Sequence, residues 1–273
     1  MDTRTKEQIL EHYDVEREIA DRLRNSSASE RRTLYTAAYD ELFARLPHHP
    51  MVQGQSPDEH QRQLDKHFRN LSGYLSKDIV FAEVGPGDCS VSLKVATVAK
   101  KVIAIDVSNE ITKHIDPPAN FELVISNGSD IPVAAEKIDL VYSDQLMEHL
   151  HPDDALEQLK NIFRALKPGG TYFCITPNRL SGPHDVSRHF DDAATGLHLK
   201  EYSASELDSV FRAAGFSKTR IFLRVGSLVL KLPLLPYKVA EAMLATMPHR
   251  VRKLLTHNRA ASFLLGVKLV ATK

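Results

Sequence analysis

Apolar side chains near the start of the chain recur at the spacing of amphipathic helices. Leu34, Ala38 and Leu42 repeat at every fourth residue, which predicts a helix with one buried face. The same helical spacing extends over residues 1–46 and returns over residues 61–75. The first quarter of the chain is therefore expected to be helical.

From residue 79 onward, short apolar runs alternate with helical stretches. The runs predict seven strands, at Ile79–Val84, Val102–Ile105, Phe121–Ile125, Ile138–Tyr142, Thr171–Thr176, Thr219–Val225 and Leu264–Ala271. A Pro-punctuated helical insert, residues 233–258, separates the last two. Strands that alternate with helices predict an α/β fold, a mainly parallel, doubly wound sheet with helices on both faces. Such a sheet binds its ligand beyond the carboxyl ends of its strands.

Composition narrows the class of protein. The 273 residues are 42% apolar and 26% charged, which is typical of a soluble globular protein. Thirty-five basic side chains balance thirty-five acidic ones, and this zero net charge argues against a dedicated nucleic-acid binder. Two cysteines, Cys89 and Cys174, both within apolar stretches, give no disulfide framework or zinc cluster. The charged N-terminus is unlike a signal peptide, so a cytoplasmic location is expected.

The charges are unevenly distributed along the chain. From Ser209 to the end, twelve Lys or Arg residues accompany a single acid, Glu241. Such a basic region predicts either a surface for an anionic acceptor, an acidic carrier protein or a lipid headgroup, or simply one basic face of a folded domain. Peripheral membrane contact through this region is one of these interpretations.

Chemically informative residues follow the first two predicted strands. After the first strand comes Glu83-Val-Gly-Pro-Gly87, where two glycines allow a tight turn and a close approach of backbone to a ligand. Glu83 lies within an otherwise apolar strand, and burying its carboxylate is costly unless it meets a positive group or several donors. Asp106 ends the second strand, where an acid can accept from both hydroxyls of a ribose.

An ordered set of segments carries a family resemblance. The set comprises Glu83–Gly87, Asp106, Asn127–Pro132, Ile138–Val141 with Glu148–Leu150, and Leu166–Gly170. It resembles the class I S-adenosylmethionine-dependent methyltransferases, and most of all their small-molecule branch, over residues 70–271. The resemblance implies a Rossmann-like, seven-stranded sheet with an antiparallel last strand, preceded by an N-terminal helical cap over residues 1–69.

The resemblance also implies S-adenosylmethionine as the cofactor and a role for each matching residue. Gly85 and Gly87 would pass under its methionine part, Glu83 would lie near its ammonium, and Asp106 would hold the ribose hydroxyls. The adenine contacts would come from Asn127, at a position where the family usually has Asp, from the backbone N–H of Gly128, or from Asp130. The reacting methyl would be bordered by two further residues, Asp144 and Gln145.

Methyl transfer to a hydroxyl needs a base, and histidine is its usual source. The long segment after the fifth strand contains His184 and His189, either of which could serve, and this favours an oxygen acceptor over nitrogen. Arg179 and Arg188 in the same segment could bind a phosphate or carboxylate. No metal is expected, since Gln145 replaces the acid that ubiquinone-type O-methyltransferases use for a cation.

Two other functions compete with a methyltransferase acting on a small, anionic or carrier-bound molecule. A nicotinamide-dependent oxidoreductase is disfavoured because Ser90 stands where a dinucleotide fingerprint needs a third glycine. The second alternative is a noncatalytic protein. It would bind the cofactor and dock on a carrier protein or membrane through its basic region. The sequence alone leaves the acceptor and the oligomeric state open.

Overall fold

The computed structural model describes residues 4–54, 56–108 and 116–273. The helices are α1 Lys6–Asn25, α2 Ala28–Arg45, α3 Pro50–Gln53, α4 Pro57–Leu71, α5 Ser90–Ala96, α6 Pro152–Ala165, α7 Ala204–Ala213, α8 Leu235–Ala245, α9 His249–Thr256 and α10 Arg259–Leu265. The strands are β1 Val80–Val84, β2 Lys101–Asp106, β3 Phe121–Ile125, β4 Ile138–Asp144, β5 Leu166–Thr176, β6 Lys218–Val225, β7 Leu228–Leu232 and β8 Val267–Thr272.

One sheet joins all eight strands in the order β3-β2-β1-β4-β5-β8-β6-β7. Strands β1 to β5 pair in parallel, and β8 runs antiparallel to both β5 and β6. The predicted doubly wound α/β sheet with an antiparallel last strand is therefore confirmed.

The number of strands differs from the prediction of seven. Leu228–Leu232, between the predicted sixth strand and the predicted insert, folds back on β6 as an antiparallel edge strand. Gly226, with a φ of +60°, permits the tight turn between the two strands. The last strand also begins at Val267 rather than at Leu264, because α10 occupies the residues before it.

Hydrogen bonds align the carboxyl ends of the parallel strands at one edge of the sheet. The Gly85 N–H donates to the Ile105 carbonyl at 2.9 Å, which ties the loop after β1 to the end of β2. The Gln145 N–H donates to the Ile175 carbonyl at 2.9 Å, which ties the loop after β4 to the end of β5. The loops that sequence patterns single out for chemistry thus meet at this carboxyl edge.

The N-terminal helices share a hydrophobic core with the sheet. Val15, Ile19 and Leu42 are buried in the same cluster as Ile103 and Ile105 of β2. The boundary predicted between residues 69 and 70 is thus crossed by continuous packing, and its status as a domain boundary stays a prediction.

The C-terminal insert is attached near the carboxyl edge as well. Asn178, which follows β5, donates from its side-chain amide to the Glu241 carboxylate of α8 at 2.9 Å and to the Leu265 carbonyl of α10 at 3.1 Å. Among the described helices, none combines the length and apolarity needed to cross a membrane.

Candidate active site

A cleft of about 1270 Å³ opens at the carboxyl edge of the sheet. Its floor comes from the loops after β1, β2 and β4, and its walls come partly from α2 and α4. Of the nine residues predicted to contact a cofactor, seven line it: Glu83, Gly85, Gly87, Asp106, Gly128, Asp144 and Gln145. The fold thus gathers residues that are up to 62 positions apart in the chain around one cavity.

The turn after β1 presents bare backbone to the cleft. Gly85 and Gly87 have φ values of +68° and +55°, in the left-handed region that favours glycine. A Cβ on Gly85 would lie 3.0 Å from Leu146 Cδ1, whereas one on Gly87 would meet nothing within 4 Å. Cys89, two residues after Gly87, also takes a left-handed φ of +59°. The chain therefore keeps the backbone shape of a glycine turn at all three positions.

Glu83 is buried at the end of β1 and lines the cleft. Its Oε2 accepts from the Ser92 hydroxyl at 2.5 Å. Burial disfavours the carboxylate and raises the pKa of Glu83 to about 8. A positive group placed in the cleft beside this carboxyl would stabilise its ionised form.

Asp106 ends β2 with its carboxyl group at the cleft. Its Oδ1 accepts from the backbone N–H groups of Val107 at 2.7 Å and Ser108 at 3.3 Å. Burial raises the pKa of Asp106, and these backbone donors oppose the rise. These hydrogen bonds also fix the orientation of the Asp106 carboxyl group at the start of the loop after β2.

Of the residues predicted to bind the cofactor in the loop after β3, one lines the cleft and the others do not. Gly128 lines the cleft, and a Cβ built on it would lie 2.7 Å from Cδ2 of Tyr35, which covers it from α2. Asn127 instead turns into its own loop, where its Oδ1 accepts from the backbone N–H of Ser129 at 3.1 Å and of Asp130 at 2.9 Å. Neither Asn127 nor Asp130 is among the described residues that line the cleft.

Gln158 was not predicted, yet it lines the cleft beside Gly128. Its side-chain amide donates to the Gly128 carbonyl at 2.6 Å, and its buried Oε1 has no hydrogen-bond partner within the described chain. The sequence did hold a signal, because Gln158 lies on the same face of α6 as the buried Ala155 and Ile162. A polar residue on a buried helix face is unusual enough to suggest a binding role.

Asp144 and Gln145 lie where the loop after β4 borders the cleft. Asp144 Oδ2 is 3.4 Å from Nε2 of His67, which α4 brings to the cleft. Burial raises the pKa of Asp144, and the neighbouring His67 opposes the rise. Gln145 has a φ of +53°, uncommon for a residue with a side chain and often found at functional sites. His67 was not predicted, since nothing in its own helix distinguishes it from a surface residue.

The two predicted bases lie elsewhere. His184 donates from Nε2 to the Asn178 carbonyl at 3.2 Å, and its Nε2 is 3.0 Å from the Ser181 hydroxyl. The Nε2 of His189 accepts from the adjacent Arg188 at 3.2 Å. Neither histidine is among the described residues that line the cleft, although Arg188 is. The segment after β5 therefore brings an arginine to the cleft rather than a histidine base.

His149 is one of the histidines that line the cleft. Its Nδ1 donates to the Leu197 carbonyl at 3.1 Å, which leaves Nε2 as an acceptor in the neutral ring. Burial, with the adjacent His198, lowers the pKa of His149 to about 3. The ring also lies edge-on to Tyr39, with centroids 6.2 Å apart.

Glu148, His149 and His198 form a compact group. Each offers one ligand atom, and these atoms lie within 4.8 Å of one another. Oε1 of Glu148 is buried without a partner in the described chain, and the Nδ1 of His198 donates to the Glu201 carboxylate at 2.7 Å. Since both histidines have Nδ1 held by an oxygen acceptor, their Nε2 atoms could hold a divalent cation. A second such group is His12, Glu16 and His49.

A family model described as "Methyltransferase domain" matches residues 58–221, well over half of the chain. The chain belongs to this methyltransferase family. The match confirms the family inferred from the ordered sequence set, and it displaces the nicotinamide-dependent alternative.

Individual relatives agree with the family. A probable S-adenosylmethionine-dependent methyltransferase of Mycolicibacterium smegmatis is 29% identical over 135 residues, which are 49% of this chain and 50% of that protein. The chain thus matches half the length of this curated relative.

Solved structures share the fold at low identity. A SAM-dependent methyltransferase of Archaeoglobus fulgidus has a TM-score of 0.51 at 17% identity, covering 78% of this chain and 94% of its own. The phosphoethanolamine N-methyltransferase 2 of Haemonchus contortus, solved with phosphomonomethylethanolamine and S-adenosylhomocysteine, has a TM-score of 0.51 at 13% identity. It covers 79% of this chain and 52% of its own.

S-adenosylmethionine is the cofactor of this methyltransferase domain, and the cleft fits it. Glu83 would receive the ammonium, which resolves the cost of its burial, and Asp106 would accept from the ribose hydroxyls. Gly87 offers open space where the methionine part must pass close to backbone. The orphaned Oε1 of Gln158 is an acceptor that the adenine amino group could satisfy. The cofactor supplies an electrophilic methyl on a sulfonium.

Proposed function

We propose that the protein transfers the methyl group of S-adenosylmethionine to an oxygen of a small, anionic acceptor. In this reaction an oxygen lone pair forms the new C–O bond as the S–C bond breaks. S-adenosylhomocysteine leaves, and the hydroxyl proton passes to a base. The observation that carries the proposal is that His149 and two arginines, Arg4 and Arg188, line the cofactor cleft together.

The proposed base is His149, in place of His184 and His189. Its Nδ1 proton is committed to Leu197, so that Nε2 presents the lone pair that a base requires. Burial lowers the pKa of His149 to about 3, which keeps the ring neutral but also makes it a weak base. The proton it takes up must therefore be stabilised by a nearby anion, which the neighbouring Glu148 or the anionic group of the acceptor can supply. His184, by contrast, uses Nε2 as a donor to a carbonyl within its own segment.

The proposed anionic group of the acceptor follows from the arginines. A guanidinium pairs with a carboxylate or phosphate through two parallel hydrogen bonds, which both attracts and orients the molecule. The structural relative from Haemonchus contortus was solved with a methylated phosphate compound, which is consistent with a phosphate-bearing acceptor. That relative methylates nitrogen, so oxygen and nitrogen acceptors must be compared directly.

An acceptor panel tests the proposal. Hydroxyl and amine compounds, each with and without a phosphate or carboxylate, are incubated with S-adenosylmethionine, and S-adenosylhomocysteine is quantified. We expect turnover with anionic hydroxyl compounds. Turnover only with amines would overturn the oxygen assignment. Cofactor binding with no turnover on any compound would favour the noncatalytic alternative.

The base is tested with matched histidine variants. His149→Gln should lower kcat by about 10²- to 10⁴-fold while S-adenosylmethionine binds nearly as before. His184→Gln and His189→Gln are the controls and should leave kcat within about twofold, since both residues lie outside the cleft. Loss of activity in a control instead of in His149→Gln would restore the loop histidines as candidates.

A divalent cation is an alternative use of the same Nε2 atom. If Glu148, His149 and His198 bind a metal, treatment with a chelator should abolish activity, and adding the cation back should restore it. Full activity after chelation leaves His149 as a base.

The cofactor assignment has its own test in pH dependence. An ammonium beside Glu83 favours the carboxylate, so binding below the free pKa of about 8 must release a proton. The affinity for S-adenosylmethionine should therefore fall as pH is lowered below 8, approaching about tenfold per pH unit.

Titration calorimetry in buffers of different ionisation enthalpy measures this proton release. Glu83→Gln should bind more weakly and lose the pH dependence, whereas Glu122→Gln, exposed on β3, should behave as the wild type. Proton uptake on binding, or an unchanged pH dependence in Glu83→Gln, would show that the ammonium lies elsewhere.

A further inference from the structure

Helix α8 turns an apolar stripe toward solvent. Leu235, Val239 and Met243 recur at every fourth residue, and they are 71%, 48% and 61% exposed. The buried residue of this helix is a charged one, Glu241. A helix in a soluble protein normally turns its apolar stripe toward the core, so the orientation of α8 is reversed.

Helix α9 and the β6–β7 hairpin extend the exposed apolar surface. Val251, Leu254 and Leu255 lie on one face of α9, and Leu254 is 80% exposed. At the hairpin, Val225 and Leu228 are also exposed. In the described chain, twelve of the eighteen exposed large apolar side chains fall within residues 225–264, which we call the insert face. An apolar surface of this kind marks an interaction site.

The insert face is also basic. Arg250, Arg252 and Lys253 alternate with the apolar residues of α9, and none of the three forms an ion pair with a described residue. Glu241, the single acid after Ser209, is buried and accepts hydrogen bonds from Ala204 and Ser205. This region therefore contributes no exposed carboxylate to its own surface.

We propose that the insert face binds peripherally to an anionic lipid bilayer. Apolar side chains flanked by Lys and Arg are the combination that enters the boundary between headgroups and acyl chains. The cations pair with lipid phosphates. The insert itself adds no exposed carboxylate, and its three cations outnumber Asp192, the exposed acid that pairs with His249 at the start of α9. A bilayer also accommodates side chains that project from two helices and a hairpin at different positions.

The placement of the insert relates this surface to the catalytic cleft. Asn178, at the carboxyl end of β5, bonds both α8 and the end of α10, so the insert is anchored at the edge of the sheet where the cleft opens. The insert face thus belongs to an element that is fixed at the same edge of the sheet as the cleft. The proposal itself does not depend on the identity of the methyl acceptor.

Cosedimentation with vesicles tests the charge requirement. The full chain should sediment with vesicles of phosphatidylcholine and phosphatidylglycerol, much less with phosphatidylcholine alone, and less as salt is raised. Combining Arg250→Glu, Arg252→Glu and Lys253→Glu should weaken partitioning by about a hundredfold or more, since each cation contributes about fivefold. The matched control combines Lys77→Glu, Lys100→Glu and Lys137→Glu, three exposed residues that precede β1, β2 and β4 at the opposite edge. It should partition within about a fewfold of the wild type.

The apolar requirement is tested separately. Met243→Ser with Leu254→Ser should reduce partitioning at least tenfold, whereas Leu10→Ser, at an exposed apolar site on α1, should not. Circular dichroism and S-adenosylmethionine binding verify that each variant is folded. Equal binding to both kinds of vesicle, or no binding to either, would overturn the proposal. So would light scattering that shows a dimer which the combined Met243→Ser and Leu254→Ser variant no longer forms.

Discussion

Helices α1 and α2 and helices α8 and α9 both stand outside the alternating strands and helices of the sheet, but they are held in place by opposite means. The two N-terminal helices bury apolar faces, with Ile19 and Leu42 each about 1% exposed in the common core. Helices α8 and α9 bury Glu241 and Thr256 and expose their leucines. The first pair is a part of the core. The second touches that core through Leu234 and Tyr237 at the start of α8, and the polar contacts of Glu241 attach it further along.

This difference indicates a separate role for each pair of helices. Helix α2 brings Tyr35 and Tyr39 to the cleft, and such positioning needs rigid packing. The insert contributes none of the described residues that line the cleft, and its apolar side chains remain available to a partner. The N-terminal helices thus shape the catalytic cleft, and the insert provides the proposed docking surface.

The largest expected loss of stability comes from a substitution that breaks the attachment of α2. Arg31 and Tyr35 both donate to the buried carboxylate of Asp154, at 2.5 and 2.6 Å. Arg31→Ala would leave this carboxylate without its cation and should lower the free energy of unfolding by about 3–5 kcal/mol. Arg32→Ala is the neighbouring control, because its pair with Glu157 is exposed, and should cost at most about 1 kcal/mol. Denaturant unfolding measures both, and equal losses would contradict the difference between the sites.

Leu42→Ala tests the packing of the same helix. Leu42 is about 1% exposed among core residues, so truncation removes buried surface and leaves a cavity. We expect a loss of about 2–5 kcal/mol in the free energy of unfolding. A loss below about 1 kcal/mol would mean that α2 can leave the sheet without unfolding it.

Glu241→Gln tests the polar anchor of the insert. Both carboxylate oxygens of Glu241 accept backbone N–H groups, from Ala204 at 2.7 Å and Ser205 at 2.9 Å. An amide NH₂ would face one of these donors, at a cost of about 1–3 kcal/mol. Limited proteolysis should then cut residues 233–265 faster than in Glu122→Gln, an exposed control on β3. Unchanged proteolysis would show that other contacts hold the insert.

The fold was predictable because its signals are local. Apolar runs gave the strands, and the glycines and acids at their carboxyl ends gave the floor of the cleft. Leu228–Leu232 was not predicted, because this exposed edge strand lacks the alternation of apolar and polar residues that marks a half-buried strand. The confirmed part is therefore the part in which sequence pattern and burial coincide.

The walls of the cleft were less predictable because they depend on tertiary contacts. His149 and Gln158 line the cleft, whereas His184 bonds within its own segment. Asn127 matches its family position in sequence, but the backbone N–H groups of its own loop occupy its carbonyl oxygen. Spacing along a chain cannot distinguish these outcomes, since each depends on where a side chain points after the loops have folded.

The smallest expected effect is a truncation on α8, and it gives the clearest contrast with the packing of the N-terminal helices. Met243→Ala removes an apolar side chain that is already 61% exposed and replaces it with the residue that best favours a helix. The free energy of unfolding should therefore change by less than about 0.5 kcal/mol. The same truncation at Leu42 is the control, with its expected cost several times larger. A large loss at Met243 would mean that α8 packs its stripe against the protein in solution, and the insert face would then not be free to bind a bilayer.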